Sequence, residues 1–100
     1  MDDESKKALN GYAAAVVNAW DSDGRRLVDL ARRMGVTTGF VSQLRQHQSG
    51  VGLKATIGLS RTLGASVEEL ERRALAWHAA GRPPLGPEAL AGVNANGGGK

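Results

Sequence analysis

Residues 27–46 read LVDLARRMGVTTGFVSQLRQ, and their spacing predicts two short helices joined by a tight turn. Apolar residues recur at steps of three and four in the first half, which is the period of one helix face. We expect the first helix over 27–34 and the second over 38–46. Gly35 follows the last periodic residue, where a left-handed C-cap is favoured. Thr37 then offers its hydroxyl as the N-cap of the second helix.

A small residue is needed where two helices joined by so short a turn cross, because their backbones approach closely there. Ala31 supplies that residue, and Gly35, Val41 and Leu44 follow it at the spacing that such a unit requires. Each of the four residues is a weak signal by itself. Their combination inside a basic segment favours two helices built as one unit.

The charge of the chain is unevenly distributed. The whole chain has a net charge of +3, yet the segment 25–61 holds seven lysines and arginines and a single acidic residue. The rest of the chain is therefore net acidic. A basic centre of this kind is typical of a surface that binds a polyanion. A solvated arginine-rich face is the alternative, since charge runs often serve only solubility.

Length and composition narrow the classes of protein. One hundred residues suit one small domain, for which oligomerisation is a reasonable expectation. The absence of cysteine excludes disulfides and thiolate metal sites. No apolar run approaches the roughly 18 residues of a membrane span, and the first residues show no secretory signal. We therefore expect a cytoplasmic protein with no membrane partner.

Helical periodicity continues before the quoted unit, and no segment alternates as a strand would. A first helix is expected from a Ser5 cap to about residue 20, with its apolar residues on one face. The cluster at 21–24 predicts a turn, in which Ser22 or Asp23 would cap the next helix.

Clear end signals also mark the later helices. A fourth helix is expected over 53–63, with Gly64 just past its end. Within it, Gly58 is either a tolerated defect or the mark of a close helix contact. A fifth helix is expected over 67–80 behind Ser66, which opens a capping box of the form S-x-x-E.

These elements predict an all-α, compact five-helix domain over residues 1–82 and a flexible tail over 83–100. The prolines after Arg82 stop the fifth helix, because proline cannot continue it. Residues 87–90 could form one turn. The glycine-rich end, which reads GGGK, is expected to be disordered.

The unit at 27–46, together with the phrase LSRTLGASVEEL at 59–70, resembles the phage repressor and Cro-like helix-turn-helix family. The similarity runs from Leu27 to Leu70 without a gap. It implies that the second motif helix enters the major groove of double-stranded DNA. Base edges would then be contacted by Thr38, Gly39, Ser42, Gln43 and Gln46. Phosphates would be contacted by Arg25, Arg26, Thr37, Arg45, His47, Gln48 and Lys54.

Gln43 is the strongest candidate for sequence readout, because glutamine can bond adenine at N6 and N7 together. Three residues depart from the family pattern. Leu27 stands where the family often has a glutamine that contacts a phosphate, Gly39 has no side chain, and Arg45 replaces an often acidic residue. These departures leave the operator sequence open.

In this family the last helix often forms the dimer interface. The resemblance therefore implies a homodimer formed through Leu70, Ala74, Leu75, Trp77 and His78. Aromatic residues are enriched at interface centres, although Trp77 could equally be a core residue. A two-fold dimer would bind a palindromic operator with half-sites roughly 34 Å apart. The implied function is a sequence-specific transcriptional regulator, similar to small prophage-type repressors.

Two alternatives remain open at this point: a DNA-binding antitoxin that also holds a toxin, and a protein-interaction module on the same fold. The basic segment argues against the second. An enzyme is not expected, because His47 and His78 have no metal-ligand partners at suitable spacing and no serine stands with a base and an acid. No cofactor is expected either.

Overall fold

The computed structural model describes residues 2–46 and 50–93. Its elements are five α-helices and one 3₁₀ turn: α1 (Asp3–Ser22), α2 (Leu27–Met34), α3 (Thr38–Arg45), α4 (Leu53–Leu63), α5 (Val67–Ala79) and the turn Pro87–Leu90. This confirms the all-α five-helix fold. The Cα radius of gyration is 12.2 Å, close to the roughly 13 Å of a compact domain of this length.

Helix α1 is the central element, and the other helices are arranged around it. It packs against α5, α3, α2 and the 3₁₀ turn. Its buried side chains include Leu9, Val16, Val17 and Trp20, which follow one another at helical steps. The indole N–H of Trp20 donates to the backbone carbonyl oxygen of Arg26 at 2.7 Å. This bond fixes the link between α1 and α2.

Both ends of α1 differ from the prediction. The N-cap is Asp2 rather than Ser5, and its carboxylate accepts from the Ser5 backbone N–H at 2.7 Å, which lowers the pKa of Asp2. The earlier start is favourable because it places two acidic residues in the first turn, at the positive end of the helix dipole. At the other end, α1 continues through Ser22, so the predicted turn is shorter.

The start of α2 also corrects the sequence analysis. The N-cap of α2 is Arg26, in extended conformation and without a side-chain cap bond. Neither Ser22 nor Asp23 caps it. The carboxylate of Asp23 instead accepts from the Arg25 Nε at 2.8 Å. The helix therefore begins at Leu27, as the apolar period indicated.

The structure decides between the two interpretations of Gly58. A Cβ at this position would lie 2.2 Å from the carbonyl oxygen of Met34 in α2. Gly58 is therefore the point at which α4 and α2 approach most closely, and not a defect. At the end of α4, Gly64 is left-handed, and the Ser66 hydroxyl accepts from the Glu69 N–H at 3.0 Å, as predicted for the start of α5.

The segment after α5 is part of the domain, so the predicted boundary at residue 82 is wrong. The 3₁₀ turn packs against α1, and the side chains of Leu90 and Val93 are only 2% and 9% exposed. A Cβ on Gly92 would lie 2.2 Å from the carbonyl oxygen of Leu63. The domain therefore extends at least to Val93. The flexibility predicted for 94–100 concerns residues outside the described ranges.

Across 2–46 and 50–93, no helix combines the length and the apolar character that crossing a bilayer would require.

Candidate nucleic-acid interface

The turn between α2 and α3 has the geometry expected from its sequence. Gly35 is left-handed, with φ 73° and ψ 32°, and the next N–H, from Val36, donates to the carbonyl oxygen of Ala31 at 3.0 Å. Thr37 is extended, and its hydroxyl oxygen accepts from the Phe40 N–H at 3.0 Å. One residue thus ends α2 and another starts α3, which fixes the angle between the two helices.

Buried side chains hold these two helices together. Leu30, Ala31 and Met34 of α2 face the core together with Val41 and Leu44 of α3. Ala31 is fully buried, as its predicted place at the helix crossing requires. Val41 and Leu44 carry most of the packing of α3, and the partly buried Phe40 adds to it.

The outward side of α3 lies at the protein surface. Thr38, Gly39, Gln43 and Gln46 are exposed, and Ser42 is half-buried. Gln46 follows the last helical residue as the C-cap. Four of the five residues predicted to contact bases are therefore exposed along α3 and its C-cap, and the fifth is half-buried.

Arginines from both ends of α2 lie over the ring of Trp20. The guanidinium carbons of Arg25 and Arg33 lie 4.9 and 5.5 Å from the ring centre of Trp20, within the range of cation–π attraction. Arg26, the N-cap, is exposed beside them. The buried indole thus gathers cationic side chains from both ends of α2, since Arg25 precedes this helix and Arg33 lies in its last turn, although Arg25 is also paired with Asp23.

A second helix N-terminus lies near α3. Helix α4 begins behind Gly52, which provides no side-chain cap, and the exposed Lys54 lies in its first turn. Thr37, Phe40, Leu53 and Lys54 line a groove between the N-terminal ends of α3 and α4. Uncapped helix N-termini carry partial positive charge and attract phosphate. Two of the predicted phosphate contacts, Thr37 and Lys54, thus lie side by side.

Arg45, another predicted phosphate contact, is bonded within the protein. Arg45 turns towards α1, where its Nε donates to the Asn18 side-chain oxygen at 2.8 Å and its Nη2 to the Asp21 carboxylate at 3.0 Å. Sequence reasoning missed this cluster, because its partners lie 27 and 24 positions away. His47 and Gln48 lie outside the described residues.

The predicted dimer set needs correction. Leu70 and Ala74 are buried against the protein's own core, so a second copy cannot reach them in this fold. The Trp77 ring contacts Tyr12 edge-on and donates its N–H to the Pro83 carbonyl oxygen at 2.7 Å. The Nδ1 atom of His78 accepts from Arg82.

What remains at the surface is a different apolar pair. Leu75 of the predicted set is partly exposed, but Leu53 and Ile57 of α4 are more so, at 76% and 42%. They lie one helical turn apart, which places them on the same side of α4.

Shifted pKa values in this domain are explained by structural contacts. Burial raises the pKa of Tyr12, although nearby Arg73 opposes the rise. Hydrogen bonds from Arg72 and Arg73 lower the pKa of Glu69, which is exposed on α5. In the described ranges, no three histidine or acidic side chains come together as a metal site would require.

Comparisons of the chain with protein-family models, with curated proteins and with solved structures find no match. The function of the chain therefore has to follow from the chemistry of the site.

Proposed function

We propose that this protein binds double-stranded DNA in a sequence-specific way, with α3 in the major groove. The observation that carries the proposal is the polar, uncovered side of α3, presented by a helix pair whose opposite side is buried. An α-helix fits the major groove, where each base pair presents a distinct pattern of donors and acceptors. Thr38, Ser42 and Gln43 supply hydroxyl and amide groups that can read such a pattern.

Cationic groups at the N-termini of α2 and α4 supply the affinity in this proposal. Arg26 lies at the N-terminus of α2 and Lys54 at that of α4, and neither helix has a side-chain cap there. Both helix ends can therefore donate backbone N–H groups to phosphates, in addition to the side-chain charge. Lys54 also lines the same groove as Thr37, the N-cap of α3, which a surface whose charge serves only solubility would not require.

Selection of bound duplexes from a random pool tests the proposal directly. Enrichment of one sequence is expected, and failure to enrich any duplex would refute it. The logarithm of the affinity for the selected duplex should fall against the logarithm of salt concentration, with a slope of about −0.9 per phosphate contact. A response that is independent of salt would remove the phosphate contacts from the proposal.

Gln43 is the residue on which specificity should depend most. Gln43→Ala is expected to cost about 1–3 kcal/mol on the selected duplex and little on random duplex, if the amide reads a base. Equal losses on both duplexes would mean that Gln43 positions the protein without reading sequence. Fluorescence anisotropy with the two labelled duplexes measures both affinities in the same buffer.

We further infer that two copies bind a palindromic site and repress transcription by occupying a promoter. Since Leu70 and Ala74 are buried, the exposed pair Leu53 and Ile57 is the better candidate for the contact between copies. Ile57→Glu should lower the mass measured by light scattering, while Leu75→Glu on α5 serves as the control. An unchanged mass with Ile57→Glu, or a selected site without two-fold symmetry, would refute this assignment.

The exposed pair Leu53 and Ile57 on α4 is also compatible with the antitoxin alternative. A toxin would be a different protein seated on the same or a neighbouring apolar surface. Co-purification of a second chain in defined proportion, lost in Ile57→Glu, would favour that alternative over the homodimer. Reduced transcription from a promoter carrying the selected duplex, with no second chain present, would favour the repressor.

A further inference from the structure

Arg45 ends α3 at the opposite end from the capped turn, and its guanidinium bridges to α1. Its Nε and Nη2 atoms donate to two α1 residues, Asn18 and Asp21, at 2.8 and 3.0 Å. Both partners lie in the last two turns of α1. The two bonds leave from separate nitrogens of one rigid planar group, so they restrain direction as well as distance.

The electrostatics at this point favour a structural bond. Asp21 lies in the last turn of α1, where the negative end of the helix dipole disfavours a carboxylate, and that turn contains no basic residue. Arg45 places its positive charge at the C-terminal ends of α1 and α3 together. It therefore offsets an unfavourable carboxylate while extending the contact between the two helices.

The same carboxylate makes Arg45 a poor phosphate ligand. A phosphate approaching the guanidinium would also approach Asp21, which lies 3.0 Å from it. Like charges so close together repel, so the attraction of Arg45 for DNA is largely cancelled. The remaining charge of the pair is near zero, whereas Arg26 and Lys54 keep theirs.

The bond of Arg45 adds a directional restraint at the far end of α3, where Leu44 is already buried in the core. The helix has only eight residues, and its buried side chains are Val41 and Leu44. The capped turn fixes its first residues, but a tilt about that turn would move Gln43 and Gln46 away from their base edges. The bond to α1 restrains such a tilt at the last helical residue.

We propose that Arg45 is a positioning residue, which sets the tilt of α3 through Asn18 and Asp21 and does not contact DNA. This inference rests on the proposed DNA binding by α3. It predicts that Arg45 affects the ratio of affinities for selected and random duplex. A phosphate contact would change both affinities and leave their ratio unaltered.

The test compares Arg45→Gln, which removes both bonds to α1, with Asp21→Asn, which removes the charge of one partner and leaves the bond to Asn18. Both should lower the ratio of selected to random affinity by about two- to fivefold, the range typical of partly exposed ion pairs. The double variant should lower it no further than Arg45→Gln alone, because that variant already removes both bonds. The slope against salt should stay unchanged in Arg45→Gln.

A phosphate contact predicts the opposite pattern. Arg45→Gln would then lower both affinities equally and reduce the slope by about 0.9. Asp21→Asn would tighten binding, since it removes a negative charge from the vicinity of the phosphates. Either result overturns the positioning role. Arg45→Lys adds a further comparison. Lysine can bind phosphate, but its single amine cannot reproduce the planar guanidinium that bonds two partners at once.

Two controls keep the result interpretable. Arg72→Gln removes the same charge from an exposed pair with Glu69 inside α5, and the affinity ratio should not change. Circular dichroism establishes that each variant folds. If the wild-type protein binds no duplex, the proposed function fails, and this inference fails with it. If the wild type binds selectively and neither Arg45→Gln nor Asp21→Asn lowers the ratio, only the positioning role is wrong.

Discussion

Replacing Gly58 with alanine should destabilise the domain strongly, although alanine is the better helix former. The added Cβ would lie 2.2 Å from the carbonyl oxygen of Met34 and 2.9 Å from the Cα of Met34. Both are backbone atoms, which cannot rotate away. Alanine gains about 1 kcal/mol in helix propensity over glycine. Overpacking of this kind costs about 3 kcal/mol, the upper end of the usual range. The expected net loss is about 2 kcal/mol.

Gly39 provides the matched control, because it is also a helical glycine. A Cβ at Gly39 would have the Thr37 hydroxyl oxygen 3.9 Å away, which is an ordinary contact. Gly39→Ala should therefore stabilise the protein by about 0.5 kcal/mol, from propensity alone. Near 100 residues, each kcal/mol shifts Tm by about 4–8 °C. The two variants should thus move the Tm in opposite directions, by about 10 °C down and about 3 °C up.

Thermal and urea unfolding followed by circular dichroism give both values. Gly58→Ala should keep its helix content at low temperature, because the helices separate slightly without unwinding. A Gly58→Ala protein as stable as Gly39→Ala would refute the close approach of α2 and α4. It would also remove the reason for assigning Gly58 a packing role.

Three further predictions concern the turn, the core and the C-terminal segment. Thr37→Ala should cost about 1 kcal/mol through loss of the α3 cap, whereas Thr38→Ala should cost little; equal losses in urea unfolding would contradict the cap. Because burial raises the pKa of Tyr12, the tyrosinate absorbance of the folded protein should titrate above that of the protein in denaturant. The folded state then holds its proton to higher pH than the unfolded chain, so stability should fall as pH rises above about 10, and this loss should be absent in Tyr12→Phe. Coincident folded and unfolded titrations would show that Tyr12 is not buried. Leu90→Ala should destabilise the domain by about 2–3 kcal/mol. A loss below about 0.5 kcal/mol would instead support the flexible tail that the sequence predicted from residue 83.

The helices followed from the sequence wherever their determinants are local. The bounds of α4 and the caps at Gly35, Thr37 and Ser66 match, because each depends on residues within one or two turns. The start of α1 was missed because Asp2 and Ser5 are both good caps. The upstream residue is favoured once the added turn places acidic side chains at the helix N-terminus.

Contacts between distant parts of the chain could not be predicted from the helical periodicity of the sequence. The sequence around Arg45 does not indicate that its side chain would bond Asn18 and Asp21, since helical periodicity does not show which helices pack together. Leu90 and Val93 lie in a short segment after two prolines, with too few apolar residues to show a period. Their burial depends on a gap left between other elements, which only the packed structure reveals.

In α3 the residues that pack against the domain are separate from those that are exposed. This separation affects how a protein that binds DNA through α3 could change its target sequence. Val41, Leu44 and Arg45 hold α3 against the rest of the domain, whereas positions 38, 39 and 43 are exposed. If α3 binds duplex as proposed, substitutions there should alter which duplex is preferred at almost no cost in thermal stability. A library randomised at those positions would therefore retain most of its members as folded proteins, and new preferences could arise in single steps.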